Sequence, residues 1–230
     1  MTVLYEDNHL IVVNKQAGEI VQGDKTGDTP LSEIVKAWIK EKYAKPGNVF
    51  LGVVHRLDRP VSGVVLFAKT SKALPRLNGL FATHEGVKKT YWAIVQHLPP
   101  QPQGRLVHWL TRQESNNKAT AYDREVPGAK RAVLDYRLLA SGERYHLIEV
   151  SLLTGRHHQI RCQLAKIGCP IKGDLKYGAP RSNPDGSISL HARCIELEHP
   201  VSHQHICIVA PVPQDRLWQE LEAATTPQNS

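Results

Sequence analysis

The sequence predicts an α+β fold in which a mostly antiparallel mixed sheet is flanked by helices. Two observations carry this. Short apolar runs rich in β-branched residues recur along the chain, and only three stretches show helical spacing, too few to alternate with every strand as a doubly wound fold requires. "LIVV" (10–13), "GVVLFAK" (63–69), "TYWAIV" (90–95), "HLIEVSLL" (146–153), "LHARCIELE" (190–198) and "HICIVAP" (205–211) read as strands. The clearest helix begins near Thr29 and Pro30, a capping residue followed by a residue suited to the first helical position. Leu31, Ile34, Val35, Trp38 and Ile39 then repeat at helical spacing. A second helix carries Ala73, Leu77, Leu80 and Phe81. A third carries Ile160, Leu164 and Ile167 and stops at Gly168. The segment "LPPQPQGRL" (98–106) reads as an exposed connection or hinge, and no internal repeat is visible. Residues 1–222 are expected to form one domain, and 223–230, "AATTPQNS", a disordered tail.

Composition narrows the function. The chain has 230 residues, 41% of them hydrophobic, enough to bury a substantial core. Its formal charge is +7 and its pI about 9.3, a balance that favours a polyanionic partner such as nucleic acid. Four cysteines, Cys162, Cys169, Cys194 and Cys207, contain no C-x-x-C pair, which argues against a disulfide framework or a ribbon-type zinc site. No apolar run approaches the ~20 residues of a membrane span, and the start of the chain does not read as a signal peptide. A soluble, cytoplasmic, monomeric protein with reduced thiols is therefore expected.

The chemistry concentrates in "GVVHRLDRPVSGVVLFAKT" (52–70), where His55, Arg56, Asp58 and Arg59 lie between two apolar runs. A loop held between core segments is a common way for a sheet to present reactive groups. Read by spacing alone, Asp58 and its arginines could equally form a surface ion pair at a turn, worth ~0–1 kcal/mol. Likewise, the alternation of "TYWAIV" places Tyr91 on one strand face and Trp92 on the other, so that either face could be core.

"HRLDRPVSG" followed by "VVLFAKT" resembles the segment around the catalytic aspartate of the RluA family of RNA pseudouridine synthases. "YEDNHLIVVNKQAG" (5–18), "KKTYWAIV" (88–95), "TGRHHQIRCQLAKIGCPIKGD" (154–174) and "LHARCIELEHP" (190–200) resemble further segments of that family, in family order, from about residue 4 to about 211. The resemblance implies the pseudouridine synthase catalytic fold, with an RNA-binding cleft across its middle. It also implies isomerisation of specific uridines in rRNA or tRNA, with no metal, redox step or organic cofactor. Consistent with that, the chain shows no phosphate loop or dinucleotide fingerprint.

Carried over by position, Asp58 is the essential aspartate, Arg161 the cation beside it that keeps the Asp58 carboxylate charged, and Tyr91 the active-site tyrosine that stacks on uracil and can take the C5 proton. Arg56 is the residue that fills the gap left by a flipped base. His55, Arg59 and Arg156 are candidate RNA contacts, as are Lys69, Lys88, Lys89, Lys172 and Lys176. Against the family pattern, Gln16 stands where a proline is common after Lys15. Pro60 and Val61 stand where polar residues are more usual. The resemblance starts so early that a separate N-terminal RNA-binding domain is not expected.

Two rival readings remain. A non-catalytic RNA-binding protein on the same fold would need no Asp58, Tyr91 and Arg161 together. A metal site in "HPVSHQHIC" (199–207) would use His203, His205 and Cys207 on one strand face. Its spacing fits no standard zinc pattern, so a polar-faced strand and loop is the expectation, with no metal. A zinc-dependent nucleobase deaminase is excluded by the missing P-C-x-x-C.

Overall fold

The computed structural model describes residues 1–83 and 86–225. The chain divides into two units, Met1–Val87 with Cys194–Pro211, and Lys88–Arg193 with Val212–Ser230.

In the first unit, β1 (Thr2–Glu6), β2 (Leu10–Lys15) and β4 (Ser62–Ala68) are consecutive neighbours, with the short β3 (Gly52–Val53) on β4. The pairs β1–β2, β2–β4 and β3–β4 are antiparallel. β2 and β4 read as unbroken apolar runs because both faces are covered, and Leu10 through Val13 and Val65 through Ala68 are fully buried. The last residues of β10 (Leu190–Glu198) and the whole of β11 (His205–Val209) close this unit as an antiparallel hairpin. One core joins Leu10, Val12, Val64 and Leu66 to Ile195, Leu197 and Ile208, and takes in Ala73 and Leu77 from helix α2 (Ala73–Thr83).

Helix α1 (Leu31–Lys42) begins one residue later than its sequence suggests, with Pro30 as the N-cap residue rather than the first helical residue. Its buried stripe is also narrower than predicted. Leu31, Ser32, Val35 and Ile39 are buried, Ile34 is 36% exposed, and half-buried Trp38 lies under the Lys42 ammonium at 4.5 Å.

The second unit is an antiparallel sheet in the order β5-β9-β8-β6-β7, formed by β5 (Val87–Val95), β6 (Gln103–Gln113), β7 (Lys118–Tyr122), β8 (Lys130–Ser141) and β9 (His146–Leu152). Three of these strands, β6 to β8, and β1 in the first unit have no counterpart in the sequence reading. The expected connection at 98–106 is half strand, since β6 starts at Gln103. Because β5 and β6 share a unit, it is no hinge between the two. Helix α3 (Gln159–Lys166) ends as predicted, with Gly168 at φ +82° just beyond it.

Helix α4 (Arg216–Ala223) was not foreseen. It packs Trp218 and Leu221 against Trp92, Ile94 and Leu147, so Ala223 of the expected tail is helical. Residues 226–230 of that tail lie outside the described residues. The Asp215 carboxylate caps α4 by accepting from the Leu217 and Trp218 N–H groups. Asp215→Ala should therefore lower stability by about 1 kcal/mol in chemical denaturation, whereas Asp215→Asn should stay within a few tenths of the parent.

Candidate active site

In the first unit the segment from His55 to Val61 is a loop between β3 and β4, fixed from several directions. Leu57 and Val61 are buried and anchor it in apolar surroundings. Lys15, the last residue of β2, is fully buried and sends its ammonium into the loop. The Lys15 Nζ donates to the carbonyls of Gln16 (3.0 Å), Asp58 (3.3 Å), Arg59 (3.1 Å) and Val61 (2.6 Å). The turn from Asp58 to Val61 is closed by the Val61 N–H donating to the Asp58 carbonyl at 3.0 Å. From the neighbouring loop, Gly18 donates its N–H to the Arg59 carbonyl at 2.8 Å with φ +92°, a conformation that glycine adopts without steric cost.

Burial pulls the Lys15 ammonium down to about 8, while the carboxylates of Glu19 and Asp58 act in the opposite sense. The Lys15 ammonium offers three N–H bonds to these four carbonyls, so two of them share one donor, and a neutral amine would offer only two. That residue was missed as a functional element. No local signal marked it, because β2 is an unbroken apolar run and Lys15 reads as its polar end.

The named side chains of the loop divide by what they touch. Arg56 is exposed and makes no hydrogen bond or ion pair among the described residues. Asp58 is half-buried. Arg59 turns back to the loop before α1, donating to Asp28 and Thr26 at 2.7 Å each and lying 3.6 Å from Asp24. The His55 Nε2 accepts the Leu66 N–H at 3.0 Å, and its ring stacks on Phe81 at 4.8 Å, so this histidine holds the loop to β4 and α2. Lys69 binds Glu6 and the Asp7 carbonyl, both at 2.6 Å, with its side chain 10% exposed, which turns it inward rather than toward phosphate.

In the second unit, Tyr91 lies on β5 opposite Val150 and is buried. Trp92, facing the other way, joins the apolar cluster with α4 and lies under the Arg193 guanidinium at 4.4 Å. Both faces of β5 are therefore covered. Lys89 on the same strand is buried, and desolvation lowers its ammonium. Arg161 is buried on α3. It grips Asp174 with two donors, Nε to Oδ2 at 2.7 Å and Nη2 to Oδ1 at 2.9 Å. The Tyr177 ring lies 5.1 Å from the guanidinium.

The Tyr177 hydroxyl accepts the Ala119 N–H at 2.8 Å and lies 2.9 Å from the His158 Nδ1. Burial pushes that phenol up to about 12, so it stays protonated. Asp174 is reached through Gly173 at φ +88°, where a Cβ would lie 2.8 Å from Asn183 and from the Ser187 carbonyl. Sequence reading did not single out Asp174, Tyr177 or Gln159, although Gln159 and Asp174 lie within the arginine motif and Tyr177 three residues beyond it. Gln159 accepts from the Thr154 hydroxyl and the Arg156 N–H and donates to the Val133 carbonyl, which fixes the entry to α3. Arg156 itself is exposed and donates to the Arg131 carbonyl at 3.0 Å.

Comparison with known proteins agrees with both motif regions. The family model described as RNA pseudouridylate synthase matches residues 9–166. An uncharacterized RNA pseudouridine synthase of Bacillus subtilis is 33% identical over 217 residues, 94% of this chain and 70% of that protein. Ribosomal large subunit pseudouridine synthase D of Zymomonas mobilis is 33% identical over 225 residues, with the same coverage of 94% and 70%. A relative from Synechocystis is longer, and the chain spans 66% of it. Among solved structures, human RNA pseudouridylate synthase domain containing 4 superposes with a TM-score of 0.78 at 25% identity, covering 97% of this chain and 92% of that one.

The Lys15 clamp has a measurable titration. NMR of Lys15 should give a midpoint near 8, well below the ~10.4 of exposed lysines. Since the folded pKa is depressed, the folded chain releases this proton first. The Lys15 contribution to stability should be flat below about 8 and rise with pH from about 8 toward 10.5. Chemical denaturation of parent and Lys15→Met across that window checks it, and parallel stability curves would contradict it.

Proposed function

The chain belongs to the RNA pseudouridylate synthase family, and from that premise we propose that it isomerises selected uridines of ribosomal or transfer RNA to pseudouridine. Some relatives carry the names ribosomal large subunit pseudouridine synthase D and tRNA pseudouridine synthase C, which supports both RNA classes as candidates. The net charge of +7 suits either. Residues 1–222 act in this reading as one catalytic domain, since the family match draws on both units. The free thiols of all four cysteines suit a cytoplasmic location, and the reading takes the chain to act as a monomer. No helix among the described residues is long and apolar enough to cross a membrane.

The reaction breaks the bond from the sugar C1′ to uracil N1, turns the base, and forms the bond from C1′ to C5. The proton leaves C5 and a proton is gained at N1, so no electrons are exchanged with a cofactor. Asp58 supplies the carboxylate that acts on the nucleotide, either by attacking carbon or by removing a sugar proton. Both roles require it ionised. Arg161, with a permanent charge and a fixed geometry, supports that ionisation. Tyr91 stacks on the uracil and accepts the C5 proton. Arg56 enters the space that the extruded base leaves, a step that costs a few kcal/mol of unstacking. His55 and Arg59 position the loop, and Arg156 contacts the RNA backbone.

The observation that carries this reading is the loop itself, where a free, exposed Arg56 stands two residues from a half-buried Asp58 on a backbone clamped by a buried ammonium. The non-catalytic alternative has no feature of its own in support. Incubation with tRNA and rRNA followed by chemical mapping of pseudouridine should reveal a modified uridine. Asp58→Asn should lower turnover more than roughly 10³-fold while RNA affinity stays within about threefold. Modification of no RNA by the parent protein, or turnover by Asp58→Asn close to the parent's, would overturn the assignment.

A further inference from the structure

The β10–β11 hairpin carries a second concentration of chemistry that uridine isomerisation does not use. Its antiparallel register pairs Cys194 with Val209, Glu196 with Cys207 and Glu198 with His205. Paired residues share a sheet face, and so do residues two apart. Ile195, Leu197, Ile206 and Ile208 therefore point into the first unit's core, and Cys194, Glu196, Glu198, His205 and Cys207 point the other way. On that outer face the two thiols lie 3.5 Å apart, sulfur to sulfur. One donor atom each from Cys194, Glu196 and Cys207 falls within 4.8 Å of the other two. The His205 Nε2 lies 3.9 Å from the Glu196 carboxylate.

We propose that this face binds one thiophilic transition-metal ion of the zinc class, with Cys194, Cys207, Glu196 and His205 as its four protein ligands. Two thiolates bound tetrahedrally at about 2.3 Å stand roughly 3.8 Å apart, so the observed sulfurs need to move only a few tenths of an ångström. A carboxylate oxygen and an imidazole nitrogen complete the donor chemistry such an ion takes. The metal staples the hairpin.

This set differs from the one the local sequence suggests. His203 is not on the strand but in the turn before it, at φ +60°, with its Nδ1 2.6 Å from Glu198. His199 is buried, accepts the Val201 and Ser202 N–H groups, and lies 2.8 Å from Asp7. Two donors, Cys194 and Glu196, come instead from across the ladder. A disulfide fits the same thiols less well. Cys194 and Cys207 are diagonal neighbours, a relation that places Cα atoms ~7–8 Å apart, beyond the ~4.4–6.8 Å of most disulfides. The other two cysteines are buried, and burial pushes Cys162 up to about 11, so they offer no competing thiolate.

The test is Co²⁺ titration of the reduced full chain with Zn²⁺ back-titration, beside Cys207→Ser and His205→Ala. Cys207 and His205 are exposed, so both variants should fold. One Co²⁺ per chain should give sulfur-to-metal charge-transfer and intense tetrahedral visible bands, and Zn²⁺ should abolish them. Cys207→Ser should lose the charge-transfer band and bind at least about 100-fold more weakly, and His205→Ala about 10-fold more weakly. Zn²⁺ should also raise the unfolding temperature of the parent and not of Cys207→Ser. Equal Zn²⁺ affinity of parent and Cys207→Ser, octahedral cobalt spectra, or a Cys194–Cys207 disulfide found by mass spectrometry in the protein as purified would each overturn the proposal.

Discussion

A buried ammonium holds the loop that carries Asp58. Lys15 is fully buried, yet its Nζ meets four backbone carbonyls, three of them from the segment that carries Asp58. An isolated charge in an apolar core would cost several kcal/mol, and here the carbonyl dipoles replace the lost water. The arrangement converts β2, one of the most deeply buried strands, into a support for a partly exposed loop. Arg59 and His55 add to it from outside by tying the loop to the segment before α1 and to β4. Positive charge in this region is thus divided between residues that shape the loop and Arg56, which is exposed.

The second unit solves a related problem with a different device. Arg161 could swing through many rotamers from a helix surface. Instead it is buried, held by two parallel bonds to Asp174 and capped by the Tyr177 ring. Tyr177 in turn is oriented by Ala119 and His158, and His158 leads into α3 in a left-handed conformation that its ring contact helps to offset. Lys15 in one unit and Arg161 and Tyr177 in the other are therefore buried with partners, which rigidifies them and makes each network sensitive to loss of any one member.

Much of this was legible in the sequence where one physical signal dominated. β2, β4, β5, β9 and β10 stood out as apolar runs. Helices α1 to α3 stood out by their spacing, and the sequence put Asp58 on a loop, Tyr91 on a strand and Arg161 on a helix, as the structure has them. Strands β6 and β8 were not legible because partial burial mixes polar with apolar residues along both, leaving no clean period of two. Lys15 and Asp174 were hidden for a complementary reason. A charged residue at an inward position looks like a strand end or a loop until its partners, distant in sequence, are brought to it. The cysteine face of β10 and β11 needed the register between the two strands, which no local pattern contains.

If the clamp positions Asp58, removing it should slow chemistry without weakening the grip on RNA. The direct measurement is single-turnover pseudouridine formation by Lys15→Met on a substrate RNA, with affinity for that RNA determined separately and folding checked by circular dichroism. The account predicts a rate lowered about 10²-fold, the scale set by displacing a reacting group by about 1 Å, at unchanged affinity. A folded Lys15→Met variant that forms pseudouridine at the parent rate would contradict it.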